Sequence, residues 1–229
     1  MKKLLFSAFL VITTGLLFSC ASEDKSGESP SNPVGAIEPV TIGTQVWMKR
    51  NLDVDVPGSK CYNNDPENCI KYGRLYNWTT AMNLPSNCAS NSCAVQIQAK
   101  HQGICPTGWH IPSNEDWDKL YRFADGSTGT ESPYESPTAG KHLKSVTGWN
   151  PYEGIENLDT YGFSALPGGG GISNGDFEDV GKYGVWWSAS ENEDYGDSAY
   201  FRGMDYSNEY AYWETPDKSH LFSVRCLQD

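Results

Sequence analysis

Six cysteines, Cys61, Cys69, Cys88, Cys93, Cys105 and Cys226, follow an N-terminus that reads as an export signal. An even set in an exported chain argues for disulfides, although six cysteines allow 15 complete pairings. Cys61 and Cys69 enclose Asn, Asp and Pro, and Cys88 and Cys93 enclose Asn and Ser. These are turn formers, so each short loop is able to bring its ends together. Elimination leaves Cys105 with Cys226, a bridge that contributes about 4 to 5 kcal/mol in the chain-entropy picture. A zinc site is the weaker alternative, because only Cys88 and Cys93 approach metal-ligand spacing and no second pair or suitably spaced His accompanies them. A chain stitched in this way is expected to be rich in loops and to return its end to its middle.

The leader is Met1-Lys2-Lys3 followed by an apolar run from Leu4 to Phe18. It has the charge and length of a secretory signal and is too short to span a bilayer comfortably. Leu17-Phe18-Ser19-Cys20 resembles the lipobox of bacterial lipoproteins, which implies cleavage after residue 19 and lipidation of Cys20. Residues 20–38 are polar, contain Pro, Gly and Ser, and lack aromatics, so they are expected to form a flexible tether. Glu23-Asp24 resembles a lipoprotein surface-export signal. The expectation is an outer membrane lipoprotein, held to the membrane by its lipid and displayed at the cell surface.

Residues 39–229 are expected to be the folded domain. The whole chain has 29 acidic against 17 basic residues, a net charge of −12, which disfavours nucleic acid as a partner. Aromatics make up 13% and Gly and Pro number 23 and 13, a composition that folds but suits neither a helical bundle nor a coiled coil. Residues 39–52 read as two strands around Gly43-Thr44. Ser113 and Asp116 start a helix in which Trp117, Leu120, Tyr121 and Ala124 form one stripe. A second short helix is expected over residues 139–146. Strands are expected over 185–190, 198–206, 209–214 and 220–227, after about forty Gly-rich, irregular residues. This describes an α+β domain with a mostly antiparallel sheet, one or two helices and a long loop region.

Chemistry is sparse. Gly168 to Gly171 lacks the Lys-Ser or Lys-Thr of a phosphate loop and reads as a flexible or tightly turned segment. The four histidines are scattered, there is no nucleophile elbow, and paired cysteines leave no free thiol. No enzymatic activity and no resident cofactor are expected. The acidic residues 191–197 offer oxygen ligands that calcium accepts, although not in EF-hand order. Strand aromatics are expected in the core, whereas Trp149, Tyr152, Phe177 and Tyr195 in loops, with the carboxylates Glu193, Asp194 and Asp197, are the binding candidates.

Several motifs carry a family resemblance. They include residues 42–48, Tyr72 to Trp78, Cys105-Pro-Thr-Gly-Trp-His-Ile-Pro-Ser113, Tyr161 to Gly169, Trp186-Trp187-Ser188 and Phe222-Ser-Val-Arg-Cys226. In this order they resemble the Fibrobacter succinogenes major paralogous domain family, and they span residues 40–228. The resemblance implies an exported protein with a scaffold related to the C-type lectin-like fold, similar also to that of formylglycine-generating enzymes. The lectin calcium and sugar motifs are absent, and Trp149-Asn150 runs into Pro151. The expectation is a surface binding module that recognises a glycan or a surface protein through its loops. The alternative is a structural component of the envelope without a soluble ligand.

Overall fold

Gly43 reverses the chain between β1 (Pro39–Ile42) and β2 (Gln45–Met48), which pair antiparallel with Ile42 opposite Gln45. Its φ is +59°, and a side chain there would meet the Phe123 ring at 2.8 Å, so conformation and space both call for glycine. The computed structural model describes residues 37–127 and 135–229. The signal segment, Cys20 and the tether through residue 36 lie outside the described residues. Within the described residues no helix is long and apolar enough to cross a membrane.

Helix α1 (Pro66–Tyr72) sits inside the first cysteine loop. Asp65 caps it by accepting from the Glu67 amide at 3.0 Å, and Pro66 takes the first position. Turn-forming residues in that loop concealed it. The short strand β3 (Leu75–Tyr76) leads into α2 (Trp78–Ala81), where the Asn77 side chain accepts from Thr80 N. After β4 (Trp109–His110) comes α3 (Asn114–Asp125), opened by the expected capping box of Ser113 and Asp116. Its stripe of Trp117, Leu120, Tyr121 and Ala124 is buried. Past β5 (Glu135–Ser136), α4 covers Ala139–Leu143 and stops before residue 146 because Lys144 turns extended and bridges to Ala165. Among the described residues four α-helices thus stand where one or two were expected.

The Gly-rich region is less irregular than its composition suggests. β6 (Gly170–Gly171) and β7 (Phe177–Glu178) form a hairpin, so the glycine run is in part an ordered strand and not a loose loop. The reason is close approach: a Cβ on Gly170 or Gly171 would sit 2.9 Å from Phe222 or Leu221 respectively. β8 (Tyr183–Glu191), β9 (Ala199–Asp205) and β10 (Ala211–Glu214) form the antiparallel centre. The expected last strand splits into β11 (Phe222–Ser223) and β12 (Leu227–Gln228). A six-stranded sheet runs β3-β11-β8-β9-β10-β5 and a four-stranded sheet runs β1-β2-β12-β4. Only β11 with β8 pairs in parallel among these strands, so the fold is α+β and mostly antiparallel.

Arg225 holds the crossing between the two sheets. It is buried and donates to Asn51 Oδ1 from Nε at 2.9 Å and Nη2 at 2.6 Å, and to Phe163 O from Nη1. Three disulfides close the chain: Cys61–Cys69, Cys88–Cys93 and Cys105–Cys226. Alternation along β8 divides the core. Val185, Trp187 and Ala189 pack with Phe201, Phe222 and Val224 on one face, while Trp186 packs with Trp47, Met204 and the stripe of α3 on the other.

His110 on β4 is buried between two carboxylates. Its Nδ1 lies 2.8 Å from Asp229 Oδ1, and its Nε2 lies 3.6 Å from Asp116 Oδ2. Burial opposes its charge, but the hydrogen bonds with Asp116 and Asp229 prevail and raise its pKa. A raised folded-state pKa stabilises fully below the ordinary histidine value of about 6.5 and loses that stabilisation as pH climbs through the folded value. Asp116 behaves oppositely: burial would raise its pKa, but hydrogen bonds from His110 and Ser113 lower it, so its contribution disappears in acid. Urea midpoints are expected to fall from pH 6 to pH 9 in the native chain and to stay flatter in His110→Gln. Equal slopes in both proteins would remove His110 as the cause.

Candidate functional site

Register places Val185, Gly203 and Tyr212 in line across β8, β9 and β10, with Trp187, Phe201 and Glu214 as the next line on the same face. Gly203 is required here, because a side chain would meet the Tyr212 ring at 2.5 Å. The ring therefore lies across the strand. Phe222 on β11 joins this face, its ring 5.1 Å from that of Phe201, and Phe201 meets Tyr212 edge-on at 6.0 Å. The hairpin β6–β7 and the segment around His220 complete the walls of a cleft of about 350 Å³. That volume suits a small ligand or one or two sugar rings.

The floor is apolar and the rim is polar. Val185, Phe201 and Phe222 retain 7%, 6% and 8% exposure, the small residue of core surface that the cleft reaches. Two phenols face it. Burial, then the Glu214 charge, pushes the Tyr212 hydroxyl far above the ordinary range. Burial, then Asp205, raises that of Tyr183. Both therefore stay protonated at neutral pH and can donate hydrogen bonds. Glu178, Asp179 and Glu214 add acceptors at the rim. Lys182 Nζ lies 3.3 Å from Asp179 Oδ1, and His220 Nδ1 lies 3.0 Å from Asp217 O. Aromatic rings thus line the floor, with hydrogen-bond donors and acceptors at the rim.

The sequence-predicted candidates stand elsewhere. Trp149 is half-buried, donates from Nε1 to Ala165 O at 3.0 Å, and has the Lys144 ammonium 5.2 Å from its ring. Tyr152 is exposed and packs edge-on against Tyr206. Phe177 on β7 lies against Tyr62 at 5.4 Å. Glu193, Asp194, Tyr195 and Asp197 are exposed in the β8–β9 connection. None of these lines the cleft. Among the described residues no three His, Cys, Asp or Glu side chains come together to hold a metal ion. The calcium idea for residues 191–197 meets a direct obstacle, since Glu191 is already paired with Lys218.

The cleft is not legible in the sequence because its rings sit on strands, where most aromatics are expected in the core. The available signal was the glycine run beside them, since consecutive glycines on a strand mark close backbone approach. The Fibrobacter succinogenes major domain matches residues 40–228, nearly the whole described region. The chain belongs to this family. No curated protein and no solved structure matches it significantly. In this Fibrobacter succinogenes major domain, the motif Phe222-Ser-Val-Arg-Cys226 supplies a ring of the cleft floor, the Arg225 staple and the long disulfide within five residues.

Proposed function

We propose that the protein is a lipid-anchored binding module of the cell envelope that takes a carbohydrate in the cleft between the β6–β7 hairpin and the six-stranded sheet. One observation supports the reading most: an aromatic floor of Phe201, Tyr212 and Phe222 beneath neutral phenols and carboxylates. Sugar rings present CH faces to aromatic surfaces and hydroxyls to just such donors and acceptors. The leader with Cys20, and Glu23-Asp24 behind it, support lipid attachment and outward display. The C-type lectin-like scaffold that the motifs imply fits the same reading, since its long connections are available to a ligand. Fold alone does not settle function, so the site carries the proposal.

A glycan array with the full chain in detergent tests it. Tyr183→Ala is expected to weaken binding about tenfold, a loss of roughly 1.4 kcal/mol. Tyr195→Ala and Trp149→Ala should leave binding unchanged. Binding lost in Tyr195→Ala but retained in Tyr183→Ala would move the site to the exposed β8–β9 connection. Absence of any glycan binding would favour the envelope-structural role.

A further inference from the structure

The charges around the cleft are one-sided. Glu178, Asp179 and Glu214 line it, Asp205 stands beside the Tyr183 hydroxyl, and no Lys or Arg is among the lining residues. Lys182 pairs with Asp179 from outside, and among the described residues no cation pairs with Glu178 or Glu214. His220 is the one histidine of the lining, and its Nδ1 lies 3.0 Å from the Asp217 carbonyl oxygen. Beneath these acids lie the rings of Phe201, Tyr212 and Phe222, and aromatic quadrupoles attract cations. The chain as a whole carries −12 and repels polyanions at longer range.

We infer that the cleft selects saccharides bearing a free amine, which its rim carboxylates hold as an ammonium above the aromatic floor, and rejects uronates and sulfated sugars. This rests on the carbohydrate reading of the same cleft. The carboxylates supply charge-assisted hydrogen bonds to the ammonium, and the protonated phenols donate to neighbouring ring hydroxyls. N-acetylation removes the positive charge while preserving the sugar ring, and a uronate reverses its sign. These three ligand types therefore separate charge recognition from stacking.

Isothermal titration of the full chain with β-1,4-linked glucosamine oligomers, their N-acetylated counterparts and galacturonate oligomers is the test. The amine form is expected to bind at least tenfold more tightly than the acetylated form, with no measurable binding of the uronate. Glu178→Gln/Glu214→Gln should abolish the preference and leave the weaker binding of the acetylated oligomer intact. Equal affinity for amine and acetylated forms would overturn the inference and keep the carbohydrate reading. No binding of any oligomer would count against that reading itself. An undiminished amine preference in the double variant would overturn the inference by assigning the effect to general attraction toward an acidic surface.

Discussion

Lys218→Met is expected to lower the unfolding free energy by about 3 to 5 kcal/mol, the range for breaking a buried ion pair from one side. The Lys218 side chain is fully buried and that of Glu191 is 3% exposed. Besides contacting Glu191 Oε1, the ammonium donates to Cys88 O at 3.0 Å, Asn91 O at 3.3 Å and Gly196 O at 2.5 Å, and it lies 4.6 Å from the Trp78 ring. Glu191 in turn accepts from Ser92 Oγ at 2.7 Å and Cys93 N at 3.0 Å. One cation thus joins the Cys88–Cys93 loop, the β8–β9 connection and the approach to β11. Removing it strands a carboxylate and three carbonyls away from water.

Burial would raise the Glu191 pKa, but the Lys218 hydrogen bond, with Ser92 and Cys93, lowers it. The pair therefore stabilises above the ordinary glutamate range and loses its effect as pH falls through the lowered value. Lys218→Met should raise that pKa and make the variant relatively less unstable in mild acid. Urea unfolding of the native chain, Lys218→Met, Glu191→Gln and the double variant closes a thermodynamic cycle. The double variant should be less damaged than the sum of the singles, because it buries no uncompensated charge. A Lys218→Met loss below about 1 kcal/mol would mean that water reaches the site.

Local signals in the sequence were sufficient where structure is made locally. Ser113 and Asp116 announce α3, and the stripe from Trp117 to Ala124 gives its buried side. Gly43 announces the first hairpin, and turn residues between close cysteines announce two bridges. Asp65-Pro66-Glu67 is an equally sound helix start that the surrounding turn formers obscured. Pairing between distant segments is another matter. The Lys218–Glu191 pair spans 27 positions, and nothing near either residue indicates the other. The acidic residues 191–197 therefore suggested calcium, although the first of them was already committed to an ammonium.

The cleft was hidden for a related reason. It depends on the register that sets Val185, Gly203 and Tyr212 side by side, and on Gly170 and Gly171 lying against Phe222 and Leu221. A one-residue slip in β9 would turn Phe201 away and present Arg202 instead. Composition marks rings and carboxylates as suited to sugars, and the exposed loop residues it singles out do not line this cleft. Strand rings whose edges reach the surface do so only after the sheet is assembled.

Removing the Cys105–Cys226 bridge by a Cys→Ala pair is expected to cost about 4 to 5 kcal/mol, against about 2 to 3 kcal/mol for either local bridge. The difference follows from loop size: the long bridge closes a separation of 121 residues, and the others close 8 and 5. It also follows from position, because Cys226 lies between β11 and β12 and joins the two sheets at their crossing. Met48 N donates to Cys226 O at 3.0 Å and Leu52 N to Val224 O at 2.8 Å, so the same short segment is held by hydrogen bonds as well. Those bonds and the Arg225 staple should keep the fold intact at room temperature without the bridge. Calorimetry should show a melting temperature about 10 to 20 °C lower, the change expected for a chain of this size. If either local pair proves more damaging than the long one, the closed native loops and not the constrained unfolded chain determine stability. Because Phe222 precedes Cys226 by four residues, ligand affinity at room temperature measured on the same variant separates the two roles of the segment. Unchanged affinity with lowered melting temperature identifies the bridge as a brace for the unfolded ensemble, leaving the cleft to be shaped by register and glycine.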